Sequence, residues 1–233
     1  MAERTVVPAA RCLALPADLD DVTAAAIANP GMSSWAALTE RARLEAGETV
    51  LVNGATGTSG RLAVQIAKRL GASKVIATGR NAKVLNEVAS LGADAAIPLV
   101  EDDAALESGF EEQFASGVDV VIDYLWGRSA ERLLAAGAKA GKNVKPIRFV
   151  QVGSMSGADI NLPGAILRSS TIELMGSGLG SVPFDRLVHA IDQMFRAAAP
   201  AGFRIVVKPV PLSEVEQAWR NDDSASRTVS TVG

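Results

Sequence analysis

The stretch Glu48-Thr49-Val50-Leu51-Val52-Asn53-Gly54-Ala55-Thr56-Gly57-Thr58-Ser59-Gly60 carries the reading of the fold. A short β-branched run enters a glycine-rich turn, and a helical pattern from Arg61 to Leu70 leaves it. Glycine reaches backbone angles closed to other residues, the role expected of Gly57, and Gly60 lets the new helix pack close to the strand. The free N–H groups at the helix N-terminus then point at an anion, and the helix dipole favours negative charge there. A nucleotide pyrophosphate suits that cradle, with Gly54, Thr56, Thr58 and Ser59 completing its wall. Against the fingerprint G-x-G-x-x-G, Ala55 replaces the first glycine and Gly54 sits one place earlier. Glycines in this pattern also serve plain strand–helix turns. The strand before, the helix after and a second strand at Lys74 to Thr78 make a βαβ unit, which favours a dinucleotide.

The second strand selects between cofactors. NAD-selective sites place an acidic residue about 20 residues on, where it binds the adenosine ribose. Here the strand ends Ala77-Thr78-Gly79-Arg80-Asn81-Ala82-Lys83, without a carboxylate. Arg80 stands 20 residues after Gly60, and a guanidinium grips a phosphate bidentately while stacking beside adenine. Gly79 leaves room for the extra group and Lys83 adds charge. The alternative is a solvated loop arginine. The favoured reading is a 2′-phosphate site, hence NADPH over NADH.

The 233 residues suffice for one α/β domain with appended pieces, and 48% hydrophobic with 21% charged residues is ordinary for a folded chain. A net charge of −3, without basic clusters among aromatics, argues against nucleic-acid binding. The single Cys12 leaves no internal disulfide framework. No apolar run spans a bilayer and no signal-peptide pattern is present, so no membrane role is expected and the cytoplasm is the expected compartment.

Along the chain, Glu3 to Leu15 reads as one or two short strands, with Cys12 facing a small core. Asp18 or Asp20 caps a helix at Val22 to Ala28, which Asn29-Pro30-Gly31 breaks. Ser33 or Ser34 caps a second helix. Strands are then expected near 49–53, 74–78, 94–98, 118–123, 147–152 and 171–176, with helices between them and a last long one at 184–198. Continuous apolar strands separated by amphipathic helices predict a doubly wound parallel six-stranded sheet in the order 3-2-1-4-5-6. Beyond Gly202, strands are expected at 203–207 and 227–232, with Ser213 and Glu216 capping a helix between them. The last two strands lie outside the parallel sheet.

Several stretches resemble the medium-chain dehydrogenase/reductase superfamily, nearest its zinc-independent quinone-reductase and enoyl-reductase branch. They are Pro30-Gly31-Met32-Ser33-Ser34-Trp35, Ala46-Gly47-Glu48-Thr49-Val50, Leu91-Gly92-Ala93-Asp94, Gly117-Val118-Asp119-Val120-Val121-Ile122-Asp123 and Val210-Pro211-Leu212-Ser213-Glu214-Val215. The resemblance implies that residues 1–20 are a remnant of a GroES-like catalytic domain. Residues 21–200 would then be the NADP-binding domain with its leading helices, and 201–233 the closing strands and helix of the catalytic domain. Roughly a further hundred residues precede the equivalent point in such relatives, so the chain is expected to start within that domain. Open strand edges then predict a homo-oligomer. One Cys and one His are too few for a tetrahedral zinc site.

By the same resemblance, Ser33 lies near the nicotinamide or its phosphate. Asp123 and Tyr124, at the end of the fourth strand, lie toward the adenosine half; for Tyr124, the single tyrosine, structural packing is favoured over a proton-donor role. Val152-Gly153-Ser154 and Gly176-Ser177 follow the fifth and sixth strands, where parallel sheets bind ligands, and are implied to hold the nicotinamide carboxamide. His189 falls among charged residues of its helix and reads as surface. No residue reads as a substrate acid or base. The implied activity is NADPH-dependent hydride transfer to a quinone or an α,β-unsaturated carbonyl, a small-molecule substrate. The alternatives are a non-catalytic NADP-binding regulator and an inactive fragment of a larger reductase. The loop Gly54 to Gly60 also resembles that of NADP-sensing proteins similar to short-chain dehydrogenases. The Tyr-x-x-x-Lys pair of catalytic short-chain enzymes is missing, since Arg128 follows Tyr124.

Overall fold

The computed structural model describes residues 2–100, 102–140, 145–220 and 226–232; Met1, the first residue of the expected remnant, lies outside them. Helix α1 (Asp21–Ala36) leads into the first crossover unit, β1 (Thr49–Asn53), α2 (Thr58–Arg69) and β2 (Lys74–Gly79). Next come α3 (Ala82–Ala89), β3 (Ala95–Pro98), α4 (Asp103–Ala115), β4 (Val120–Asp123) and α5 (Gly127–Ala140). The sheet ends with β5 (Ile147–Gln151), α6 (Gly164–Arg168), β6 (Ile172–Gly176) and α7 (Phe184–Ala198). A tail follows of β7 (Val207–Pro211), α8 (Val215–Arg220) and β8 (Arg227–Thr231).

Strands β1 to β6 pair in parallel in the order β3-β2-β1-β4-β5-β6, as the alternation of elements predicts. The period of two sorts each strand between two cores. Val50 and Val52 pack with α1, α2 and α7 on one face, while Leu51 joins Phe110, Phe114 and Leu133 from α4 and α5 on the other. No described helix is long and apolar enough to cross a membrane.

The leading helix differs from the expected break. Pro30 lies inside a continuous α1, buried, despite the roughly 3 kcal/mol that an interior proline costs. Packing outweighs that cost. Ile27, Ser34, Trp35 and Ala36 are buried in the same helix, and Gly31 allows α7 so close that a Cβ there would sit 2.8 Å from Met194 Sδ. Ser33 and Ser34 therefore cap nothing; both hydroxyls donate to the Pro30 carbonyl at 2.9 Å. Asp20 is the true cap, accepting from the Thr23 N–H at 2.9 Å.

Three other expectations change. Residues 2–20 form no strand, only a 3-10 turn at Ala9–Arg11, and Cys12 is exposed rather than set in a small core. The first tail strand runs over Val207–Pro211 rather than 203–207, and Pro209 and Pro211 fit because an edge strand needs few N–H donors. Ser213 sits within a 3-10 turn, Leu212–Glu214, and makes no cap. Strands β7 and β8 stand outside the large sheet, as expected, and pair with each other in parallel.

An ion pair closes the end of the leading helical segment. Arg148 on β5 donates to Glu48 Oε1 at 2.5 Å and to the carbonyls of Ala42 at 2.7 Å and Arg43 at 3.2 Å. The side chains of Arg148 and Glu48 are only 14% and 8% exposed. Arg148→Met should lower unfolding stability in urea by about 3 kcal/mol, because Glu48 is left as a buried unpaired charge. Adding Glu48→Gln should return part of that loss.

Candidate functional site

The turn between β1 and α2 departs from helix and strand geometry at Gly54, whose φ is +91°. Gly57 has φ −80° and ψ 168°, ordinary extended backbone. The conformational freedom expected at Gly57 is therefore needed at Gly54 instead. Gly60 does what its position suggests. A Cβ there would fall on the Gly54 carbonyl oxygen and lie 2.6 Å from Ala55 Cα. Gly79 leaves room, but for Thr56: a Cβ on it would meet that side chain, with Thr56 Oγ1 at 3.1 Å.

Gly57 is the N-cap of α2 and makes no side-chain cap hydrogen bond. The first backbone bond of the helix runs from the Arg61 N–H to the Gly57 carbonyl at 2.9 Å. The N–H groups of Thr58, Ser59 and Gly60 thus precede the helical ladder, and these three residues line a cavity of 740 Å³.

That cavity gathers most of the expected site. Ser33, Gly54, Thr56, Gly57, Thr58, Ser59, Gly60, Gly79, Arg80, Tyr124, Val152, Gly153, Ser154 and Ser177 line it. Lys83, Asp123 and Gly176 do not. Lys83 is exposed on the first turn of α3. The Gly176 carbonyl accepts from Arg41 Nε at 2.8 Å. Asp123 is fully buried, and its carboxylate accepts from the N–H groups of Leu125 at 2.9 Å and Trp126 at 3.1 Å. Burial pushes the Asp123 carboxyl above the usual carboxylate range, against those backbone hydrogen bonds and one from Asn53.

The loops after β4, β5 and β6 interlock. Val152 N–H donates to the Asp123 carbonyl at 2.7 Å, and Ser177 N–H to the Gln151 carbonyl at 2.8 Å. A Cβ on Gly153 would lie 2.7 Å from the Tyr124 carbonyl oxygen. Sequence reading missed Arg227, at the start of β8, which enters the same cavity from the tail; an isolated arginine before a short strand carries no signal of its own. It also missed the apolar lip of Met155 and Leu179, 85% and 77% exposed at the cavity.

Among the described residues, Arg80, Tyr124 and Arg227 are the ionisable ones that line the cavity, and no described carboxylate or imidazole lines it. Arg80 and Arg227 are exposed. His189 is exposed on α7, away from it. Among the described residues, no group of three or more His, Cys, Asp or Glu is placed to hold a metal ion. Tyr124 is 8% exposed, with its hydroxyl 2.7 Å from Ser34 Oγ.

Burial pushes the Tyr124 phenol up to about 12, and its hydrogen bonds to Ser34 and Ser33 pull only weakly the other way. The folded chain holds this proton where the unfolded chain has lost it, so stability is full below about pH 10 and falls as pH rises toward about 12. Spectrophotometric titration of this single tyrosine should show tyrosinate forming near pH 12 and only as the fold is lost. A midpoint at 10 with the fold intact would contradict the buried placement.

The family profile described as zinc-binding dehydrogenase matches residues 60–207. A probable NADPH-dependent quinone reductase, tdiC of Emericella nidulans, is 32% identical over 226 residues, covering 92% of this chain and 62% of that protein. A 2-methylene-furan-3-one reductase of Solanum lycopersicum is 29% identical over 216 residues, covering 91% of this chain and 53% of that protein. The crystal structure of AibC superposes with a TM-score of 0.77 at 26% identity, covering 94% of this chain and 58% of that one. The chain therefore spans a little over half the length of these relatives. Its matched profile, its relatives and its sheet order agree: the chain belongs to the zinc-binding dehydrogenase family of the medium-chain dehydrogenase/reductase superfamily.

Proposed function

We propose that this chain binds NADPH and serves a reductase that passes hydride to a quinone or an α,β-unsaturated carbonyl compound. One observation carries the reading: the residues at the uncapped N-terminus of α2 and Arg80 line one cavity, and no carboxylate is among the described residues that line it. The amides of Thr58, Ser59 and Gly60 would take the pyrophosphate. Arg80, at the end of β2, would take the 2′-phosphate, where an acidic residue would instead select NAD. Arg227 adds a second cation to the same cavity.

The sheet order sets the span. From β2 to β5 is three strand steps, about 14 Å at the usual strand spacing. A dinucleotide with its pyrophosphate over β1 would extend one arm toward Arg80. The other arm would reach Val152, Gly153, Ser154 and Ser177, whose backbone groups suit a carboxamide. When bound, the nicotinamide supplies the hydride. The chain's own contribution is orientation, exclusion of water by Leu125, Met155 and Leu179, and a Tyr124 phenol that stays protonated at neutral pH.

No acid or base group but Tyr124 and two arginines is found among the described lining residues, which supports a second reading, nucleotide binding without turnover. Calorimetric titration separates the possibilities. NADPH should bind more tightly than NADH, and Arg80→Ala should weaken NADPH by about 10- to 100-fold while leaving NADH little changed. Arg227→Ala should weaken both. Binding of neither nucleotide would refute the proposal. NADPH binding without oxidation by any of a panel of quinones and enones would favour the non-catalytic reading.

A further inference from the structure

The side chain of Asn53, at the end of β1, is fully buried and does not line the cavity. Its carboxamide is nevertheless fully engaged. Nδ2 donates to Asp123 Oδ1 at 2.8 Å and to Ser129 Oγ at 2.9 Å, and Oδ1 accepts from the Thr78 hydroxyl at 2.7 Å. Thr78 Oγ1 in turn accepts from the Gly54 N–H at 3.1 Å, and the Thr78 carbonyl accepts from the Ala55 N–H at 2.8 Å. On the other side, Asp123 holds the N–H groups of Leu125 and Trp126, the latter at φ +57°. Leu125 packs so tightly on Gly54 that a Cβ there would lie 2.9 Å from it.

The geometry points to Asn53 as the positioning residue of the nucleotide loop, locking the Gly54 turn to the Tyr124–Leu125 wall of the cavity through Thr78 and Asp123. This rests on the proposed NADPH site. Four elements, β2, β1, β4 and α5, each send one polar side chain into a site without water access, and Asn53 alone offers both donors and an acceptor. A leucine would remove one hydrogen-bond partner from each of Thr78, Asp123 and Ser129. An aspartate would place a second carboxyl against Asp123, and two carboxylates so close cannot both ionise. The pair would share one proton at low pH, keeping the network, and lose it as pH rises. Among the described residues, Asp123 is the only titratable side chain bonded to Asn53; Thr78 from β2 and Ser129 from α5 are its other partners.

The test uses the full chain as wild type, Asn53→Leu, Asn53→Asp and Thr78→Val. Amide hydrogen exchange at Gly54 and Leu125 is read without nucleotide, and NADPH affinity is read by calorimetry, each at about pH 6.5 and about pH 8.5. Asn53→Leu should speed exchange at Gly54 and weaken NADPH about tenfold at both pH values. Asn53→Asp should match the wild type at the lower pH and the leucine variant at the higher one. Thr78→Val, nearly the same size and shape, should loosen Gly54 alone and carries the test if the Asn53 variants fail to fold. Wild-type exchange and affinity in every folded variant at both pH values would overturn the inference. Failure of the wild type to bind NADPH would instead overturn the cofactor reading, and the exchange measurements would still decide what Asn53 does to the loop.

Discussion

The backbone at Gly60 presses on the Gly54 carbonyl with no space for a side chain, and that approach determines where the first turn of α2 points. With any larger residue at 60, the helix would have to lift from the end of β1. Its three leading amides would then leave the cavity wall. Gly54 meets the same demand from the other side, turning at φ +91° with Leu125 against it. The cradle is therefore a consequence of close packing among backbone atoms. The helix end that the packing leaves open is the feature on which the proposed anion site rests.

Charge is distributed to the same end. The chain carries a net −3, yet the described residues that line the cavity include two arginines and no carboxylate. Acidic groups near the sheet's carboxyl edge are occupied elsewhere. Asp123 is enclosed below the loop, and Glu87 pairs with Arg61 at 3.2 Å. Asp94, at the other edge, pairs with Lys68 at 2.6 Å. Such exposed pairs contribute little stability singly. Neither Glu87 nor Asp94 is among the residues that line the cavity.

Much of this was legible in the sequence because it rests on periodicity and on glycine. The apolar runs at 49–53, 74–79 and 120–123 mark strands buried on both faces, and the six-stranded order follows from their alternation with helices. The glycine loop, Arg80 and the loops after β5 converge on one cavity because parallel strands bring their carboxyl ends together. What was not legible depends on packing. Pro30 is a helix breaker by propensity and a buried helix residue by context. Asp123 sits at the end of a strand near the ligand edge, yet its partners, Asn53, Leu125 and Trp126, draw it beneath the loop. Arg227 comes from a strand far along the chain, and only the fold brings it to the cavity.

The most direct test of the account follows the backbone amides of Thr58, Ser59 and Gly60 by NMR while NADPH is added. Their resonances should move together, saturating with those of Gly79 and Arg80, because one ligand would span the open helix end and the end of β2. Shifts confined to other surfaces, or none at these three amides at saturating NADPH, would contradict it.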